Sequence, residues 1–275
     1  TPDLSTLPPD IRNLKNLKYI YLQSENEIHL PNQFSDMESL EWLHIRSYKW
    51  SLPTDFFKLT KLKSLDLYNC EITELPDEMY RMENLESIAF GYNELRNYDN
   101  ILQALRKVSS LRTLEINIVG PVNNLGMCTQ IEHLTINSDY SIEDVLTLDD
   151  TFCLLQNLKT LHFNQCNILE LPDCIFELTG LLDLSFEDCQ FTQIPARISQ
   201  LKGLETLIIS NCEHLESLPA ELFRLTSLKS LQLYELPKLR SLPAELEALI
   251  NLTDIQIPEY EEIENIPSHW LKLLK

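Results

Sequence analysis

The sequence predicts an α/β fold: an open solenoid, bent like a horseshoe, with a parallel concave sheet of about eleven short strands and helical or 3₁₀ segments on its convex side. Three observations predict it. Pairs of the form apolar-x-apolar begin at Ile20, Leu43, Leu65, Ile88, Leu114, Leu134, Leu161, Leu184, Leu207, Leu231 and Ile255. They are spaced 20–27 residues apart, mostly 22–24, and a period of this size marks stacked units that together bury one core. Within each unit the apolar period changes from three to two. Finally, nine of the fourteen prolines follow Leu or Ile at one place in the unit: Pro8, Pro31, Pro53, Pro76, Pro172, Pro195, Pro219, Pro243 and Pro267.

One unit, residues 52–76, shows the logic. Phe56, Leu59 and Leu62 recur every three residues, which suits a short helix or a 3₁₀ turn. Leu65-Asp66-Leu67 then alternates as a strand buried on one face does. Proline, with its fixed φ and missing N–H, suits the start of the convex segment. Seventeen residues after the proline, or the residue standing in its place, come Cys70, Asn93, Cys166, Cys189 and Cys212. A side chain there must satisfy buried backbone groups where the chain leaves the strand. This position accounts for four of the seven cysteines. Cys166, Cys189 and Cys212 should stack in adjacent repeats, close enough by Cα distance for a disulfide, although a ladder of reduced thiols is the expectation, since free Cys is a common buried residue. With no Cys-rich cluster at either end, a reducing compartment is expected.

Regularity breaks over residues 96–151. Asp99 stands where proline is expected, an extra turn of helix fits Asp99–Ser109, Val119–Leu125 reads as a loop, and Ser138–Thr151 is an acidic insertion. The strands keep step across it, so residues 1–275 are expected to form a single domain. Leu4 and Leu7-Pro8 match the close of a repeat without its strand, and Pro267, Trp270 and Leu273 open one that reaches none. The chain is therefore expected to be part of a longer protein, or to be capped around Trp270.

These units resemble the leucine-rich repeat family, in its cytoplasmic class with L-P-x-x-[I/F/L]-x-x-L-x-x-L-x-x-L-x-L-x-x-[N/C]. Similar repeats occur in Ras-pathway scaffolds, plant Ras-group proteins, plant nucleotide-binding immune receptors and injected bacterial effectors. The stretch Ser210–Pro219 is most similar to the receptor or effector style. The resemblance implies protein binding on the concave face and a cytoplasmic location, the host cytoplasm for an injected effector. It brings no invariant functional residues.

Strand residues flanking the buried leucines should face the concave side. Tyr19, Tyr21, Trp42, His44, Arg46, Asp66 and Tyr68 come from three neighbouring strands, and exposed Trp, Tyr and Arg are the residue types that dominate binding hot spots. The other reading is that the aromatics cover the first turns. Asp183 and Glu187 form an acidic stretch that meets basic side chains or is simply solvated. Formal charge is −20, from 42 acids and 22 bases. That balance disfavours nucleic acid and anionic membranes and favours a protein partner with a basic patch, although acidity also serves solubility. A monomer is expected.

Catalysis is not expected. Tyr21, His44 and Asp66 fall in a row like a proton relay, but an open face offers no closed pocket and no oxyanion donor. Phosphate-loop, H-E-x-x-H and G-x-S-x-G motifs are absent, and no cysteine is followed by x-Asp, as the nucleophile of similar effector ligases is. His133 and His162 lie on adjacent strands without a third ligand. The acids at 139, 143, 144, 149 and 150 lack the spacing and central glycine of a calcium loop. No cofactor or metal is expected. Two functional readings result: a non-catalytic protein-binding module, or the targeting or sensing arm of a larger effector ubiquitin ligase or immune receptor.

Overall fold

The computed structural model describes residues 7–51, 53, 55–72, 75–95, 98–118, 120–138, 145–257 and 263–273, with the side chains of 50, 51, 94 and 95 excepted. Leu4, Asp139, Glu143, Asp144 and Pro258 lie outside the described residues. Parallel strands alternate with 3₁₀ turns, as the solenoid expectation requires. The chain divides into two compact units, Thr1–Ile118 with Met127–Ile131, and Val119–Gly126 with Glu132–Lys275.

In the first unit, β1 (Tyr19–Gln23), β3 (Trp42–Arg46), β5 (Ser64–Tyr68), β6 (Ser87–Leu95) and β7 (Thr113–Ile118) follow one another across a parallel sheet. A short pair, β2 (Ile28–His29) and β4 (Trp50–Ser51), lies apart from it. The second unit continues with β8 (His133–Asn137), β9 (Thr160–Asn164), β10 (Asp183–Glu187), β11 (Thr206–Ser210), β12 (Ser230–Tyr234) and β13 (Asp254–Gln256), also parallel. Register is set by the repeat. Leu43 pairs with Leu65 and Ile45 with Leu67, while Leu184 pairs with Leu207 and Phe186 with Ile209. Each of these side chains is essentially buried, and a slip of one residue would turn every one of them to solvent. Phe163 and Phe186 stack at 5.6 Å, and Phe191 meets Phe186 edge-on at 5.1 Å.

Convex segments are five-residue 3₁₀ turns in most repeats, each entered from an extended residue that is usually proline, for example Pro172 (φ −67°, ψ 143°) before Asp173–Glu177. The helix expected in the irregular region is α1 (Tyr98–Leu105), an amphipathic segment with Ile101, Leu102 and Leu105 buried. Downstream, the expected loop ends in a 3₁₀ turn at Leu125–Met127.

Strand exits are built as the position-seventeen pattern predicts. Asn93 accepts hydrogen bonds from the N–H groups of Cys70 (2.7 Å) and Ile72 (3.3 Å) and donates to the carbonyls of Leu67 (2.6 Å) and Gly91 (3.3 Å). Where cysteine replaces asparagine, the thiol supplies only the donor half of this arrangement. Cys166 Sγ reaches the carbonyls of Ile136 and Asn164, both at 3.3 Å. Cys70, Cys128, Cys166, Cys189 and Cys212 are free and buried. Burial pushes the thiols of Cys70, Cys128 and Cys166 up to about 12, which removes them as nucleophiles. The remaining two cysteines are joined, Cys153 to Cys174, by a disulfide between neighbouring 3₁₀ turns that the spacing did not foretell and that runs against the reducing compartment expected from the cysteine pattern.

The exits also carry a backbone feature hidden in the sequence. Asn69, Gln165, Asp188, Asn211 and Glu235 have φ between 48° and 56°. Asn69, Gln165, Asp188 and Asn211 each donate their N–H to the carbonyl of the next strand's exit, at 2.8–3.0 Å. The repeated bond holds a left-handed conformation that a glutamine such as Gln165 otherwise disfavours.

Candidate functional site

On β1, β3 and β5 the buried positions fix which side chains face outward. Parallel register aligns Tyr19 with Trp42 and Ser64, Tyr21 with His44 and Asp66, and Gln23 with Arg46 and Tyr68. Tyr19 is 58% exposed, Tyr21 47% and Trp42 39%. Arg46 is exposed, whereas His44, Asp66 and Tyr68 are half-buried.

Rings line up across these strands. Tyr21 stacks on His44 at 4.7 Å, His44 lies 6.5 Å from Tyr68, and Tyr68 meets Tyr92 at 5.2 Å. Two cations flank the row, Arg46 at 5.9 Å over Tyr68 and Lys63 at 5.5 Å over Trp42. Lys63 also pairs with Glu41 at 2.8 Å, and Lys18 pairs with the same carboxylate at 2.6 Å. Hydrogen bonds from Lys18 and Lys63 hold the Glu41 carboxyl down to about 2.

Tyr92 is not among the residues the sequence pattern places here. It is 64% exposed and sits at φ 51° inside the long strand β6. The available signal is the neighbouring Gly91. A Cβ on Gly91 would stand 2.0 Å from the Tyr68 ring, so that ring occupies space that no other residue at this position leaves open.

His44 Nδ1 is 2.5 Å from Asp66 Oδ2, so two members of the relay-like row do meet. The third does not join them. Tyr21 presents its ring face to the imidazole and donates its hydroxyl to Gln23 Oε1 at 2.7 Å. The hydroxyl proton is thus committed away from His44, and the row is a stack, not a nucleophile–base pair. Burial holds the Asp66 carboxyl above the usual range even with His44 beside it. Its Oδ1 is buried and has no hydrogen-bond partner, the kind of acceptor that costs about 1–3 kcal/mol when left unsatisfied.

Asp183 and Glu187 belong to β10, in the second unit. Their neighbours are small and polar: Asp183 aligns with Thr160 and Thr206, and Glu187 with Asn164 and Ser210. On the same unit His133 shares a 2.9 Å hydrogen bond with Thr160 Oγ1. Burial depresses the pKa of His162, keeping its imidazole neutral. Among the described residues no group of three His, Cys, Asp or Glu side chains is placed to hold a metal ion.

Comparison with known proteins places this geometry in a class. Residues 8–151 match a family described as "Leucine-rich repeat region", and residues 123–245 match "BspA type Leucine rich repeat region (6 copies)". The chain belongs to the leucine-rich repeat family. It is similar to "Disease resistance protein RPP8" of Arabidopsis thaliana, 32% identical over 120 residues that cover 40% of this chain and 12% of the relative. It is also similar to "Volume-regulated anion channel subunit LRRC8B" of Homo sapiens, 29% identical over 121 residues, 42% of this chain and 15% of the relative. The chain thus spans a small part of the length of these relatives. Among solved structures, the leucine-rich repeat domain of the type III effector XCV3220 (XopL) aligns with a TM-score of 0.61 at 24% identity, covering 76% of this chain and 73% of that one. That likeness is one of fold.

Proposed function

We propose that this chain is a non-catalytic protein-interaction module and that its partner docks on the outward face of β1, β3 and β5. The observation that carries the proposal is the ring row Tyr21–His44–Tyr68–Tyr92, flanked by Trp42 and Arg46 on an otherwise polar surface. Rings held against one another lose little further freedom on binding, so their area converts efficiently into affinity.

A second reading is favoured by the partial match to a plant disease resistance protein and by the likeness to an effector's repeat domain. In it, the module is the recognition arm of a longer cytoplasmic receptor or effector, and its partner is still a protein. Either way the acidic chain acts as a monomer and neither nucleic acid nor membrane is the target; among the described residues no helix is long and apolar enough to cross a membrane.

Affinity capture with wild type and with the Trp42→Ala/Tyr68→Ala variant tests the site. Proteins retained by wild type and lost by a folded variant support it. Identical captured sets refute it.

A further inference from the structure

The second unit holds a cavity of about 740 Å³ beside the exits of β10, β11 and β12. Its buried lining is apolar, from Leu233, Leu239 and Ile257. Among the described residues, three carboxylates lie around this, the exposed Glu213 and Glu235 and the half-buried Asp188, against one base, Arg240. Among the described residues no base forms an ion pair with Glu213 or Glu235.

Charge is unevenly spread along the chain. Residues 1–63 carry eight bases and eight acids, whereas residues 64–275 carry 14 bases and 34 acids. Residues 188–275, the stretch that builds the cavity, carry 13 of those acids and eight of those bases. The cavity's local field attracts cations, and its apolar lining rewards burial of aliphatic groups.

We propose that this cavity is a second docking site, separate from the aromatic row, and that it takes an extended segment of a partner protein in which basic and aliphatic side chains alternate. An aliphatic side chain would pack on Leu233, Leu239 and Ile257, while a guanidinium or ammonium group meets Glu213 and Glu235. An extended segment turns adjacent side chains to opposite sides, so a segment laid along the rim points its aliphatic side chain in over the cavity and its basic neighbour outward to the surrounding carboxylates.

The test is fluorescence anisotropy with the whole chain and a fluorescein-labelled peptide of alternating leucine and arginine. Saturable binding is expected, weakened about tenfold by Glu213→Gln/Glu235→Asn, since two rim charges of this kind contribute roughly that factor together. Both sites are exposed, and asparagine suits the left-handed φ of 48° at residue 235 better than glutamate does. The variant should therefore melt no lower than wild type. Glu170→Gln/Glu247→Gln removes the same charge outside the cavity and should leave affinity unchanged. Equal losses in the two double variants would overturn the proposal, because the peptide would then sense only net charge. Binding of an all-arginine peptide as tight as that of the leucine–arginine peptide would overturn it too, because the apolar lining would play no part.

Discussion

The faces of β1, β3, β5 and of β10, β11, β12 are built on the same backbone and carry different chemistry. Across the first run Tyr19, Trp42, Tyr21, His44, Arg46 and Tyr68; across the second run Asp183, Thr206, Ser185, Gln232, Ser210 and, as its lone aromatic, Tyr234. Both sets of strands pair in full parallel register over buried apolar side chains, with Leu22 of β1 the half-buried exception. The second face shows that these strands hold together without an aromatic outer layer. The aromatic layer of the first is thus unnecessary for the repeat, and rings that the fold does not require are free to serve recognition.

The largest expected effect sharpens that contrast. Trp42→Ala/Tyr68→Ala should cost about 4 kcal/mol of binding, at about 2 kcal/mol for each hot-spot residue, with little change in melting temperature. Gln232→Ala on the second face should leave affinity for the same partner within twofold or so. Titration calorimetry paired with thermal melts checks both, and a drop in Tm matching the loss of affinity would return the rings to a structural role.

Next in size is the disulfide of the second unit. Breaking Cys153–Cys174, which closes a loop of 21 residues, should lower stability by about 3 kcal/mol. Denaturant unfolding with and without reductant measures this. The aromatic face, in the other unit, should keep its affinity while the reduced protein remains folded.

Gly91→Ala comes third. Its Cβ would displace the Tyr68 ring and should weaken partner binding by about 1.4 kcal/mol, a factor of ten. Unchanged affinity would mean that the ring's placement over Gly91 is irrelevant.

The smallest effect concerns pH. His162 has a folded pKa below its unfolded value because burial disfavours the imidazolium. Its contribution to stability is complete above the unfolded pKa of about 6.5 and is lost as pH falls through the depressed value. His162→Gln should flatten the decline in stability below neutral pH; an unaltered slope would assign that decline to other groups.

Much of the fold is legible in the sequence because the solenoid repeats one physical decision. A leucine pair every 22–24 residues, a proline before the turn and an Asn or Cys after the strand specify each unit, and the structure sets them in register. Legibility fails where contacts cross repeats out of phase. Cys153 and Cys174 occupy different positions in their units, so no stacking rule aligns them. Tyr92 escapes the pattern because β6 runs to Leu95, past the usual strand end, and exposes a residue that other repeats place at the turn. Of the expected site, Tyr19 through Tyr68 gather because adjacent strands carry them. Asp183 and Glu187 share with them only an outward-facing strand position, and they lie in the other unit.

Whether the ring row is where a partner sits can be read by hydroxyl-radical footprinting of the chain, free and bound to its captured protein partner. Strong protection of Tyr19, Tyr21, Trp42, Tyr68 and Tyr92 is expected on binding, with exposed Tyr48 and Tyr80 oxidised as in the free chain. Full oxidation of those five in the complex, with protection confined elsewhere, would remove the aromatic face as the docking surface.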